Sequence, residues 1–92
     1  MPYIKKEDRE EIAESVQSLF NKLGTRGEFN YAITLLIHKY ILTKGLCYDT
    51  LNDVVGILSC AKSELYSSVI IPYEKKKKSE NGAVSELDEE EK

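Results

Sequence analysis

The sequence predicts an all-α protein: a three-helix antiparallel bundle or hairpin with a long C-terminal helix and a disordered charged tail. Two observations predict the helices: three stretches repeat apolar residues at helical spacing, and glycines follow the first two of these stretches. A third, the separation of charge into blocks after residue 74, predicts the tail. We expect helices at about residues 7–23, 28–44 and 50–71, a helical domain over 1–74 and a disordered tail over 75–92.

The first predicted helix carries a single apolar stripe and acidic residues in its first turns, which suit the helix dipole. Gly24 follows it in the position that often takes a left-handed conformation. Before the helix, Tyr3 and Ile4 form an extended arm that we expect to pack back on the core or on a neighbour. The stripe consists of Ile12, Val16, Leu19, Phe20 and Leu23.

The second predicted helix is apolar on nearly all sides and ends before Gly45. A helix of this kind is normally buried on most of its faces. The first and third helices can cover about two of those faces, so the remaining apolar surface needs another chain or a ligand. Its apolar residues are Phe29, Tyr31, Ala32, Ile33, Leu35, Leu36, Ile37, Tyr40, Ile41 and Leu42.

The third predicted helix begins at a capping signal, with Asp49 or Thr50 as the cap and a Thr50-x-x-Asp53 pattern that resembles a capping box. We expect Pro72 to kink or end it, because proline has no backbone N–H to donate. Its apolar stripe is Leu51, Val54, Val55, Leu58, Ala61, Leu65 and Val69. A second stripe of small and polar residues, Asn52, Gly56, Ser59, Ser63 and Ser67, predicts a tight helix contact within or between chains.

Charge and composition exclude several classes of protein. The chain has 92 residues and a net charge of −3, and no region has the positive surplus that nucleic-acid binding requires. We expect no signal peptide and no membrane span, because no apolar run approaches the roughly 18 residues needed. The two cysteines predict reduced thiols in a cytoplasmic protein, and with one histidine they do not predict a metal site.

The candidate site residues are polar groups on the second and third helices. Asn30, Tyr31, Thr34 and His38 share a face of the second helix, and His38 is the one side chain that titrates near neutral pH. We expect His38 to reach Asn52 or Asp53 across the helix crossing. A histidine that fixes helix register and a pocket for a small polar ligand are both compatible with this pattern.

Catalytic residues, metal ligands and cofactors are not predicted. Glu11-x-x-Glu14 is similar to half of the magnesium motif of all-α nucleotide pyrophosphohydrolases, but the second half is missing: Asp49 is followed three residues later by Asn52. We interpret these carboxylates as a solvated acidic face. An enzyme, such as a nucleotide hydrolase, is therefore the least favoured reading.

The sequence also resembles a family of short uncharacterised proteins of phage and bacterial genomes, over about residues 1–82. The resemblance lies in Met1 to Arg9, Asn30 to His38, Leu51 to Leu58, Pro72 to Glu74 and Glu80 to Gly82. It implies no activity, since that family is a domain of unknown function. The chain departs from the family's pattern at Ser59, Ser67 and Ser68, where charged residues stand in the family.

Taken together, these patterns predict a non-enzymatic helical module that binds itself as a homodimer or larger oligomer. The residues predicted to carry an interface or ligand contact are Asn30, Tyr31, Thr34, His38, Asn52, Asp53 and Gly56. The alternative is a phage protein that binds or sequesters a small polar, nucleotide-type ligand. Neither a nucleic-acid partner nor a membrane partner is expected.

Overall fold

A computed structural model describes residues 3–89, which form α1 (Glu10–Phe20), α2 (Arg26–Lys44), α3 (Tyr48–Leu65) and α4 (Ile71–Asn81). A π-helical turn, Tyr66–Ile70, joins α3 to α4 without a break, so three separate helical rods result. Short 3₁₀ turns occupy Lys6–Asp8 and Glu86–Asp88, and residues 3–89 contain no strand. The prediction of an all-α protein is confirmed.

The start of α2 is fixed by a capping box. The Thr25 hydroxyl accepts a hydrogen bond from the backbone N–H of Glu28 at 3.1 Å, and the Glu28 carboxylate accepts one from the N–H of Thr25 at 3.1 Å. The N–H of Gly24 donates to the same carboxylate, so this glycine serves the cap of α2. The expectation that Gly24 is left-handed is wrong, whereas Gly45 does have a positive φ of 108° after α2.

The start of α3 differs from the predicted capping box. The helix begins at Tyr48 with Cys47 as its N-cap residue, and no side chain caps it. Thr50 lies inside the first turn and is only 4% exposed. Thr50 is therefore a buried residue of the first turn and not the N-cap that the sequence pattern predicts.

Pro72 neither ends the long helix nor interrupts it. The N–H of Ile71 donates to the carbonyl of Tyr66, five residues back, in the π turn just before the proline. The wider turn absorbs the missing N–H of Pro72 and the crowding of its ring against the preceding turn. The helix then crosses the predicted boundary at residue 74, and the expectation of no regular structure from Lys75 onward is wrong for Lys75–Asn81.

Helices α2 and α3 meet close to the loop that joins them. Thr50 and Val54 are the buried side chains among residues 3–89, and beyond Cys60 the long helix is exposed apart from half-buried Glu64, Ile70 and Lys78. The radius of gyration is 18.1 Å, compared with about 12 Å for a compact domain of this length. The chain is thus an open arrangement of helices, and a closed antiparallel bundle stays a prediction.

The continuous helix Tyr48–Asn81 is long and apolar enough, by length and composition only, to cross a membrane. Its most apolar 18-residue window has a mean hydropathy of 1.4 and is 6% buried. The sequence predicts no membrane span because it has no uninterrupted apolar run of about 18 residues. Hydropathy averaged over an 18-residue window does select this segment. Lys62 and Glu64 lie near the middle of the helix, where charged groups are costly in a bilayer.

Candidate functional site

The best-packed part of the molecule is an elbow formed by Tyr40 of α2 with Thr50, Asp53 and Val54 of α3. The Tyr40 hydroxyl donates a hydrogen bond to a carboxylate oxygen of Asp53 at 3.3 Å. Partial burial of the phenol, and then the nearby Asp53 charge, raise the pKa of Tyr40 above its usual value. The pair keeps its proton on the tyrosine at neutral pH, so it holds two helices together and supplies no general base.

A groove of about 420 Å³ lies beside the elbow, between the second half of α2 and the start of α3. Its walls are mostly carbon: the side chains that line it include Leu36, Ile37, Tyr40, Val54 and Ile57. Lys39, Thr43 and Lys44 complete the lining, and the Lys44 ammonium lies 5.9 Å from the centre of the Tyr40 ring. Such a surface suits apolar groups, because it offers few donors or acceptors to a polar ligand.

The predicted polar face of α2 points away from α3. Successive residues turn by about 100° around a helix, so His38 and Tyr31 lie on the side of α2 opposite Tyr40. Tyr31 is 66% exposed, and the Thr34 hydroxyl donates to the side-chain oxygen of Asn30 at 3.3 Å. The structure therefore brings Asn30 and Thr34 together but leaves this face open to solvent.

Asp53 has a different partner from the one predicted. Its described hydrogen bond comes from Tyr40, whereas His38 is exposed on the far side of α2. The predicted reach of His38 to Asp53 is wrong because helix periodicity puts positions 38 and 40 on opposite sides. Asn52 is exposed as well, and the role of these residues as interface or ligand contacts stays a prediction.

The small-residue stripe of α3 makes no close contact within the chain at its glycine. A Cβ atom added to Gly56 would meet no atom within 4 Å. Gly56 lies about 160° around α3 from the buried Val54 and about 100° from Ile57, so it points away from the groove between α2 and α3. A tight contact through Gly56 inside one chain is excluded, and a contact between chains stays a prediction.

The N-terminal arm is attached to the long helix by a hydrogen bond that sequence patterns do not show. The Tyr3 hydroxyl donates to the Glu64 carboxylate, and that bond, followed by one from Ser68, lowers the pKa of Glu64. The Arg9 guanidinium donates to the Ile4 carbonyl at 2.8 Å and steadies the arm against the first turn. Tyr3 and Ile4 are themselves exposed, so the arm contacts the long helix through this hydrogen bond, and its packing on a core or on a neighbour stays a prediction.

The remaining polar groups within residues 3–89 can be compared with what a metal site needs. No group of three or more histidine, cysteine, aspartate or glutamate side chains there could hold a metal ion. The Cys47 thiol lies 3.5 Å from the Thr50 hydroxyl, and this contact lowers the pKa of Cys47. Cys47 is exposed, and this contact ties its thiol to the buried Thr50 in the first turn of α3.

The most extensive unpaired feature is a row of side chains along the long helix, which we call the apolar seam. Its residues repeat at steps of four and three, which is the spacing by which one helix packs along another. Its apolar members are all exposed, from 37% for Leu51 to 62% for Val55. The seam consists of Leu51, Val55, Leu58, Lys62, Leu65 and Val69.

Comparison with known proteins gives a family but no activity. A family model described as "Domain of unknown function (DUF6899)" matches residues 1–84. No curated protein and no solved structure matches the chain. The chemistry available to the protein therefore has to be inferred from its own surfaces.

Proposed function

The chain belongs to this family of unknown function, and we propose that it acts there as a non-enzymatic helical module that binds further copies of itself. The observation that carries the proposal is the amount of apolar surface that one copy leaves uncovered. Val54 is the only buried apolar side chain among residues 3–89, whereas 25 large apolar side chains in the same range are exposed.

The total accessible surface supports the same proposal. One copy exposes 8563 Å², whereas a folded monomer of 10.5 kDa exposes about 5400 Å². The difference of roughly 3000 Å² per copy exceeds the ~800 Å² that each partner buries in a standard interface. A second copy can remove much of this surface from water, and this burial is the main driving force for association.

The uncovered surface lies on all three rods rather than in a single patch. The stripe of α1, which includes Ile12, Val16 and Leu19, is exposed, although Phe20 makes an edge-to-face contact with Phe29 at 5.8 Å. The outward side of α2 exposes Leu42 and Tyr31, and the apolar seam runs along the third rod. Several exposed stripes are typical of a chain that completes its core by assembly.

The alternative of a nucleotide-type ligand has less support. The groove beside the elbow is apolar, and Asn30, Tyr31, Thr34 and His38 lie on the other side of α2. Lys39 and Lys44 also line the groove, but its surface is mostly apolar, and a nucleotide needs several hydrogen-bond donors and acceptors for its base, sugar and phosphates. The absence of a nucleophile–base pair among the described residues gives no support to a hydrolase either.

Light scattering after size exclusion tests the proposal on the full-length chain. We expect a mass of at least twice 10.5 kDa at micromolar concentration, together with an apolar-dye signal no greater than that of a folded globular control. A mass of 10.5 kDa across the whole concentration range would contradict self-association. Native mass spectrometry of the same sample reports subunit number, and a retained small molecule would favour the ligand alternative.

A further inference from the structure

The long helix has one face that its own chain covers and another that it leaves free. The covered face contacts α2 through Asp53 and Val54 and the N-terminal arm through Glu64. Asp53 and Glu64 share one side of the helix, because a step of 11 residues returns close to the same direction, and Val54 lies about 100° around from Asp53. The apolar seam is centred about 160° around the helix from Asp53 and about 60° from Val54. Its apolar residues are exposed, so a second helix can reach it beside α2 and away from the arm.

The free face is long and continuous. The helix Tyr48–Asn81 has 34 residues and a length of about 50 Å, and Pro72 does not interrupt it. The π turn adds nearly one residue to the local repeat, so Tyr73 follows Val69 along the same side. Tyr73 is exposed, which extends the seam toward the C-terminal end of the helix.

Charge is distributed unevenly between the two ends of this helix. Asp49 and Asp53 lie in its first turns, and Lys75–Lys78 lie near its end. Two copies side by side in parallel would place the lysine blocks together and Lys62 against its own counterpart. In antiparallel order the two lysine blocks lie at opposite ends of the pair, the two copies of Lys62 are separated, and the two helix dipoles also oppose.

Building on the proposed self-association, we infer that two copies pair antiparallel along the apolar seam of the long helix. In an antiparallel pair, each layer of the interface joins a seam residue that follows a step of three with one, from the other copy, that follows a step of four. Leu58 of one copy then lies beside Val69 of the other, and Lys62 lies beside Leu65. The two copies of Lys62 thus occupy separate layers, and the two Lys75–Lys78 blocks lie at opposite ends of the pair.

Disulfide trapping tests this arrangement, because a disulfide requires Cα atoms about 4.4–6.8 Å apart. The background carries Cys47→Ser and Cys60→Ala, which removes both free thiols. Leu58→Cys and Val69→Cys are made separately in this background, at positions exposed in the single chain. Each variant is oxidised alone, and the two are also mixed in denaturant, refolded together and oxidised.

The expected result is a covalent dimer in the mixture and none in either variant alone. Covalent dimers from each variant alone would show parallel pairing and overturn the inference while leaving self-association intact. A dimer mass by light scattering with no cross-link in any sample would place the interface elsewhere. That result would also overturn the antiparallel pairing and leave self-association intact. A 10.5 kDa species without cross-links would overturn both self-association and the antiparallel pairing. If that species floats with phosphatidylcholine–phosphatidylglycerol vesicles, the apolar seam is assigned to a lipid surface instead.

Discussion

The two ends of the long helix differ in what holds them. At the elbow, Thr50 and Val54 are 4% and 7% exposed, and Asp53 accepts a hydrogen bond from Tyr40. Past Cys60 the same helix is mostly uncovered, with the Tyr3–Glu64 bond as a described tie to another segment. The comparison shows that one chain can order the elbow by itself, whereas the far half of the helix gains most from a partner.

Substitutions at the adjacent residues Val54 and Val55 give the strongest test of the difference between self-sufficient and partner-dependent parts of the helix. Val54→Asp places a carboxylate in the buried elbow and should cost about 3 kcal/mol or more, which would unfold a small domain at any protein concentration. Val55→Asp, at an exposed position, should leave the elbow intact and weaken assembly. Urea unfolding at two protein concentrations measures both effects, and equal effects of the two substitutions would refute the distinction.

Leu65 tests the far half of the helix. Leu65→Asn should weaken the dimer by roughly 2 kcal/mol, or about 30-fold in dissociation constant, because it removes buried apolar area at a central layer and adds no charge beside Lys62. Ser67→Asn is the matched control, since it places the same side chain on the polar stripe. Sedimentation equilibrium gives the two constants, and a larger effect at Ser67 than at Leu65 would assign the interface to the polar stripe.

The lysine block Lys75–Lys78 tests whether the two long helices pair parallel or antiparallel. Replacing Lys75–Lys78 by glutamine should change the stability of an antiparallel dimer by less than about 0.5 kcal/mol, because the two blocks lie far apart and exposed charges contribute little. Added salt should likewise have little effect on the dissociation constant of the wild-type dimer. A stronger dimer after the replacement would point to lysine blocks that repel each other in a parallel pair.

Gly56 distinguishes a contact between chains from open surface. A Cβ at this position meets nothing within 4 Å in one chain, so Gly56→Leu should stabilise the helix by about 0.5–1 kcal/mol. Thermal melts and the dimer dissociation constant are measured together. If the dimer weakens by about 1–3 kcal/mol, as overpacking would cause, then the small-residue stripe is itself the interface.

The smallest expected effect concerns the N-terminal arm. The Tyr3 hydroxyl lowers the pKa of Glu64 in the folded chain, so this bond stabilises the fold above the usual glutamate pKa. That contribution is lost as the pH falls through the lowered value. Tyr3→Phe should therefore reduce stability slightly at pH 7 and have no effect at pH 2. An equal effect at both values would show that the ring, rather than the hydrogen bond, holds the arm.

Part of the fold follows from local sequence alone. The stripe of α1, the glycine after α2 and the apolar repeat of the third helix predict three helices because neighbouring residues set them. Boundaries were predicted less well: α1 ends at Phe20 rather than Leu23, and α3 begins at Tyr48 rather than at Thr50. Residues just outside a helix are ordered by tertiary contacts, which a local pattern does not contain.

The candidate site followed the sequence only in part. Asn30 and Thr34 do share a hydrogen bond, as their spacing of four residues predicts. Tyr40 as the partner of Asp53, and Tyr3 as the partner of Glu64, were missed, because these pairs are 13 and 61 residues apart. The sequence signal for Tyr40 is its position on α2, where helix periodicity places it on the same side as Ile33, Leu36 and Ile37.

By itself, the sequence determined the helical class, the excess of apolar surface and the uneven charge of the long helix, since each depends on composition and short-range spacing. Only the tertiary structure decided that Pro72 is carried within a continuous helix, that His38 turns away from α3 and that the seam stays uncovered. The physical reason is that these outcomes depend on which faces meet across long separations in the chain. Local propensity fixes the helices but leaves that choice open.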